Sequence, residues 1–235
     1  MKKSYLYLIT TFMLWGSLYV VSQFVLGKIP TFTVAMFRYL IAFIALSLIS
    51  LKSEKEKIEK SDYKYFFIMG FIGYFISVDC QLLGTKIAGG SMASLINSLN
   101  PIIISVMAMM ILNEKLEINK IIGIILSLFG VYMIIGTGAN IEFVGVVISF
   151  IAVIGWAFMS VISRKISNKY SALTLTKVSM LIATICNIPV SFLGVLVFRE
   201  VLTTSFILGS TFIIIGVLIS LLFQKRTRKE EEALV

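Results

Sequence analysis

Along the chain, long apolar runs alternate with short polar or charged segments. The runs fall at about 5–27, 32–51, 65–84, 87–112, 118–136, 141–163, 171–198 and 203–223. Each is close to the roughly 20 residues that a helix needs to cross the ~30 Å hydrocarbon core of a bilayer. They are apolar on every side, whereas a membrane β-strand alternates apolar and polar over about ten residues. Inside lipid the backbone of such a run satisfies its own hydrogen bonds only as a helix. The pattern therefore predicts an all-α integral membrane protein with about eight transmembrane helices. The first run follows Met1-Lys2-Lys3, exceeds the length of a secretory signal and lacks a small-x-small cleavage pattern, so it reads as an uncleaved first helix.

Composition agrees with lipid as the solvent. Hydrophobic residues make up 58% of the 235 and charged residues 14%, with a mean hydropathy of +0.99, where soluble domains carry about 25% charged residues. With the N-terminus in the cytoplasm, the inside segments collect Lys2, Lys3, Lys52, Lys55, Lys57, Lys60, Lys64, Lys115, Lys120, Arg164, Lys165, Lys169, Lys225, Arg226, Arg228 and Lys229. The outside segments hold only Lys28, Lys86 and Arg199, and Arg38 and Lys177 fall within runs. This asymmetry predicts a multi-pass protein of the cell (cytoplasmic) membrane with both termini cytoplasmic. It also assigns the net charge of +9 to a basic face beside anionic lipid. No basic patch is interleaved with aromatic residues, so no nucleic-acid partner is expected.

Chemistry-bearing residues are few. The chain has no His, and Cys80 and Cys186 both lie inside runs as small hydrophobes. A disulfide framework, a metal site and His-based catalysis are therefore not expected. No GxxxxGK[ST] phosphate loop is present, which removes intrinsic ATP coupling. No catalytic residue, metal or cofactor is assigned.

Two stretches repeat. MMILNEKLEINKIIGIILSLFGVYMI aligns with VLVFREVLTTSFILGSTFIIIGVLI, pairing Glu114 with Glu200, Gly123 with Gly209 and Gly130 with Gly216, each 86 residues apart. Near the front, Trp15 pairs with Trp156 and Thr33 with Thr174, both 141 apart. The registers differ by 55 residues, which reads as a second copy lacking the counterpart of Lys52–Val106. Restored, it would make a ten-helix chain. The expected organisation is a five-helix repeat over 1–140, an incomplete three-helix repeat over 141–223 and a cytoplasmic tail over 224–235. Five is odd, so the second copy would enter the membrane inverted, an arrangement common in secondary carriers, whose substrate sites lie near the midplane between halves.

These residues resemble the drug/metabolite transporter superfamily, in particular its EamA-type permeases. The matching marks are LWGSLYVVSQFVLGKIPTFTVAMFRYLIA, GGSMASLINSLNPIIISVMAMMILNEKLEINKIIGIILSLFGVYMI, GWAFMSVISRK and LGVLVFREVLTTSFILGSTFIIIGVLI. The resemblance implies a carrier of amino acids, related metabolites or drugs that hydrolyses no nucleotide. A shortened second repeat leaves two alternatives: a non-transporting homologue, or one that works only after assembly, for which a homodimer is the simplest form. A membrane enzyme is a third class, disfavoured by the lack of His and of clustered carboxylates.

Asp79 is the single acidic residue in the interior of a run, where a charge is costly enough to suggest function. It is the candidate proton carrier, with Arg38 at similar depth as its partner; snorkelling of both to the interface is the alternative. The expected substrate pathway comprises Trp15, Tyr19, Gln23, Arg38, Asp79, Asn97, Asn100 and Trp156, with Pro101 as a helix kink. Gly123, Gly130, Gly209 and Gly216, seven apart within each copy, are expected to serve close helix packing.

Overall fold

The computed structural model describes residues 2–26, 29–51, 56–113, 121–123, 125–126, 129–130, 133 and 142–198. Glu114, Glu200, Gly209, Gly216 and the run 203–223 lie outside them. All regular structure among the described residues is helical. Helix α1 is Lys2–Leu26 and α2 is Thr31–Ser50. Following a 3₁₀ turn at Lys60–Asp62, α3 runs through Tyr63–Ile68, a π-helical stretch Met69–Ile76, and Ser77–Ala88. Helix α4 has two pieces, Gly90–Asn97 and Asn100–Leu112, and is followed in the chain by α5, Phe143–Ile166, and α6, Ala172–Phe198. Five of these, α2 to α6, contain stretches long and apolar enough to cross a membrane. The isolated residues described between 121 and 133 are helical too.

Contacts fix the direction of each helix. Tyr19 and Gln23 near the end of α1 bond to Gln81 and Gly90, and Gly145 at the start of α5 packs on Ala88. Leu26, Ala88, Gly90 and Phe143 thus share one end of the bundle, called here the Gly89 end. At the other end, Asp62 bonds Lys169 and Tyr170, and Lys177 reaches Ser50 Oγ at 3.0 Å. Lys177, placed within a run by sequence, therefore sits with the other basic residues of that end. Helices α1 and α2 run up and then down; α5 and α6 run down and then up. Both pieces of α4 pack on α5, starting from the same end. Asn113 therefore closes α4 toward the Asp62 end, while Glu142 precedes α5 at the Gly89 end.

Helix ends follow local chemistry. Pro30 precedes α2, and its carbonyl accepts the first helical bond, from Val34 N–H at 3.0 Å. Gly89 has φ +85°, a conformation closed to most L side chains, and lets α3 turn into α4 across a single residue. The interruption of α4 falls at Ser98–Leu99, directly ahead of Pro101, which then sits in the first turn of the second piece where its missing N–H costs nothing. In place of a kink at Pro101, the helix breaks just ahead of it.

The tightest packing joins α3 to α5. A Cβ built on Gly84 would collide with Ser149, on Gly73 with Met159, and on Gly145 with the backbone of Ala88 at 2.6 Å. One on Gly155 would stand 3.0 Å from Ser77 Cβ. In lipid no hydrophobic force separates helix from solvent, so small residues that permit close approach are what hold helices together. The spacings Gly73-xxx-Ser77, Gly84-xxx-Ala88 and Gly145-xxx-Ser149 carry this interface. By contrast, no described atom lies within 4 Å of a Cβ on Gly123 or Gly130.

Candidate functional site

Between α1, α3, α4 and α5 lies a narrow inner cavity of about 30 Å³, lined by Trp15, Tyr19, Arg38, Ser77, Gln81, Asn97 and Trp156 among others. Adjoining it toward the Gly89 end is a roomier vestibule of about 510 Å³, bounded by Gly16, Tyr19, Gln23, Phe24, Ser91 and Ser94. The inner cavity admits water, whereas the vestibule is in the range that holds small organic ligands. Tyr19 lines both, so it stands between them. Its hydroxyl accepts a 2.6 Å hydrogen bond from Gln81 Nε2, and Gln23 Oε1 accepts one from Gly90 N–H at 3.0 Å.

Aromatic rings form one wall. Trp15 meets Trp156 edge-on with centroids 5.6 Å apart, Trp156 meets Tyr74 at 5.9 Å, and Tyr74 meets Tyr39 at 6.0 Å. Such pairs favour edge-to-face geometry because the positive rim of one ring faces the negative face of the next. The two tryptophans paired in sequence at a spacing of 141 are therefore in contact, on helices of opposite direction. Tyr39 OH donates to Tyr74 O at 2.6 Å, inside the π-helical stretch, where widened backbone leaves carbonyls free for other donors.

Of the residues expected in the pathway, Trp15, Tyr19, Arg38, Asn97 and Trp156 line the inner cavity and Gln23 the vestibule. Asn100 is buried and donates from Nδ2 to Asn97 Oδ1 at 2.5 Å, which couples it to the wall without lining it. Asp79 does not line either cavity. It lies about 200° around α3 from both Ser77 and Gln81, at ~100° per residue, and so faces α2 and α6 instead. There it is buried, 4% exposed, beside Asn187, with the Arg38 charge close enough to act on it. No direct hydrogen bond joins Arg38 to Asp79: Arg38 Nη1, both Asp79 carboxylate oxygens and Asn187 Oδ1 are buried without hydrogen-bond partners among the described residues. Asn187 Nδ2 donates to Ala183 O at 3.2 Å, one turn back and two residues before Pro189, whose missing N–H weakens α6 locally.

Sequence reasoning passed over Ser77, Gln81, Tyr74 and Asn187. The first two are four apart, hence on one face of α3, and their i, i+4 polar spacing in an apolar run was a readable signal. Asn187, between Cys186 and Ile188, is an amide in the middle of its run and could have been weighed by the same cost argument used for Asp79.

Outside the span, the Asp62 end carries a polar network. Both Glu56 carboxylate oxygens accept from Ser171 N–H at 3.1 Å. Desolvation works against ionisation of Glu56, but hydrogen bonds from Thr174 and Ser171 and the Lys177 charge hold its carboxyl below the usual range. A hydrogen bond to Asp62, and then the charges of Asp62 and Glu59, raise Lys169 above an ordinary lysine.

Residues 2–136 match the EamA-like transporter family. The chain is 29% identical over 169 residues to the Bacillus subtilis protein "Uncharacterized transporter YetK", a match covering 68% of this chain and 51% of that one. It is 22% identical over 183 residues to an Archaeoglobus fulgidus "Uncharacterized transporter", covering 78% and 65%, and 25% identical over 186 residues to Bacillus subtilis "Uncharacterized transporter YyaM", covering 75% and 60%. The match thus spans about half the length of YetK.

Proposed function

The chain belongs to the EamA-like transporter family, and on that footing we propose that it is a secondary carrier of small organic metabolites working by alternating access. It is a multi-pass membrane protein; in this reading it sits in the cell membrane with both termini cytoplasmic, and the Asp62 end faces the cytoplasm. The observation that carries the reading is the pair of neighbouring cavities, vestibule and inner cavity, walled by residues of α1 to α5 and sharing Tyr19. Opposite running directions of α1–α2 and α5–α6, and the Trp15–Trp156 contact between positions 141 apart, support an inverted repeat of units 1–140 and 141–223. Substrates are amino acids, related metabolites or drugs. Asp79 is the proton carrier: buried beside Asn187 and Arg38, it offers two unpartnered oxygens to a proton.

A second reading is favoured by one feature. Met13, Val20, Val21 and Phe24 on α1 are exposed beside a vestibule that contains Gln23, Ser91 and Ser94. A bundle open on this side would need a second copy to cover polar groups from lipid, so transport would depend on a homodimer.

The test is flux of amino acids and related solutes in proteoliposomes under an imposed proton gradient. The parent is expected to transport with pH-dependent rate, and Asp79→Asn to lose that dependence. Unchanged pH-dependent flux in Asp79→Asn would remove it as the proton carrier. Flux only after restoring the 55-residue segment would overturn the carrier reading for this chain.

A further inference from the structure

The cavities stop well short of the Asp62 end. On α3 the inner cavity reaches down to Ser77, while Met69, eight residues nearer that end across the π-helical stretch, belongs to a sealed apolar cluster. That cluster joins Phe66 and Met69 of α3 to Met159, Ile162 and Ile166 of α5 and Leu175 of α6. Tyr170, in the turn between α5 and α6, lays its ring edge-on against Phe66 at 5.2 Å. Its hydroxyl donates to Asp62 Oδ2 at 2.9 Å and accepts from Glu59 N–H at 3.1 Å. Lys169 Nζ reaches the same Asp62 oxygen at 3.1 Å, and Glu56 takes the Ser171 N–H at the start of α6. Each bond joins residues more than 100 positions apart, from the segment before α3 to the turn before α6.

We infer that these two segments form the gate on the Asp62 side: a polar latch centred on Asp62 and Tyr170 over an apolar plug centred on Phe66 and Met159, which must part for the cavity to open there. The gate's purpose rests on the carrier reading, but its existence does not. Asp62 is the keystone because it is buried, 4% exposed, and accepts two donors that the opposite segment supplies. The Lys169–Glu59 pair at 3.6 Å is exposed on both sides and adds little. Tyr170 serves both layers, its ring in the plug and its hydroxyl in the latch. At the Gly89 end the hydrogen bonds Tyr19–Gln81 and Gln23–Gly90 stay within α1 to α4, so opening below leaves them intact.

Nitroxide labels at the exposed Ser61 and Ser167 read the gate by electron–electron distance in full-length chain, with Cys80 and Cys186 replaced by Ala. A second pair at Lys86 and Glu142 reads the Gly89 end. Tyr170→Phe removes the hydroxyl but keeps the ring on Phe66; Asp62→Ala removes the acceptor. In both, the Ser61–Ser167 distribution is expected to gain a longer component, raised about ten-fold over the parent by the loss of two hydrogen bonds, while Lys86–Glu142 stays or shortens. An unchanged Ser61–Ser167 distribution overturns the gate. So does lengthening of both pairs together, since the bonds would then hold the whole fold. Flux is scored separately: a parent that does not transport defeats the carrier reading and leaves the distance result standing.

Discussion

Replacing Gly145 by Ala adds one methyl at the place where α5 meets the end of α3. The new Cβ would stand 2.6 Å from Ala88 N, 2.7 Å from Ala88 Cβ and 3.0 Å from Ala88 Cα. Ordinary van der Waals contact begins at 3.4 Å, so the helices must separate by at least 0.8 Å. Two of the three atoms are backbone and cannot rotate away. Overpacking that a side chain cannot relieve costs roughly 1–3 kcal/mol, and the upper end applies here. The same substitution at Gly16 meets nothing within 4 Å, and there Ala gains about 0.5–1 kcal/mol over Gly through helix propensity. Gly145 is helical too and shares that gain, so the two variants are expected to differ by the overpacking alone, about 3 kcal/mol. Reversible unfolding in mixed micelles, followed by circular dichroism, measures both. Equal stability of Gly145→Ala and Gly16→Ala would refute close α3–α5 packing as the organising contact of the bundle.

Ser77→Ala removes the 2.6 Å bond from Ser77 Oγ to Ala152 O. Because that carbonyl keeps its place in α5, the loss is expected to be modest, about 0.6–1 kcal/mol in the same unfolding assay; a loss above ~3 kcal/mol would mean the hydroxyl does more than bridge the helices. The closed gate has a pH window. Glu56, depressed in the fold, contributes above the ordinary glutamate value of ~4.3 and loses that contribution as pH falls through its lower folded value; Lys169, raised, contributes below ~10.4 and loses it as pH climbs through its higher one. The longer Ser61–Ser167 component is therefore expected to be smallest between about pH 5 and 10. Asp62 carries a second carboxylate of the latch, so Glu56→Gln should shrink the acid arm without abolishing it, and an acid arm of unchanged size in that variant would contradict the assignment.

The helices were legible because the cost of burying a peptide group in lipid is paid residue by residue, and any run of about twenty apolar residues states it locally. Five of the expected runs match helices able to cross a membrane, with ends within a few residues. Lys60–Ala88 extends beyond its run of 65–84 because the 3₁₀ turn and the segment up to Gly89 are polar enough to escape a hydropathy reading. The π-helical stretch was not legible: one widened turn changes no periodicity that composition records.

For the cavities, rarity picked out lining residues and said nothing of the direction in which a side chain points. Trp15, Tyr19, Gln23, Arg38, Asn97 and Trp156 stood out as large or polar groups in apolar runs, and they line the cavities. Asp79 stood out more strongly, yet it faces Asn187 and α6 rather than the cavity. Two residues along a helix turn a side chain through about 200°, so Asp79 and its neighbours Ser77 and Gln81 serve opposite faces. Glycine packing depends on direction as well. Gly73, Gly84 and Gly145 pack tightly while Gly123 and Gly130 meet no described neighbour, and which glycine needs its small size depends on the helix that comes to lie against it. Apolarity is a sum over the chain and set the class of protein before any contact was known, while the family was read from the resemblance of its motifs and is shown by the family match. The cavity, the Asp79–Asn187 approach and the Asp62–Tyr170 latch join residues 60 to 110 positions apart, and only the packing of oppositely directed helices brings such residues within the few ångströms over which hydrogen bonds and charges act.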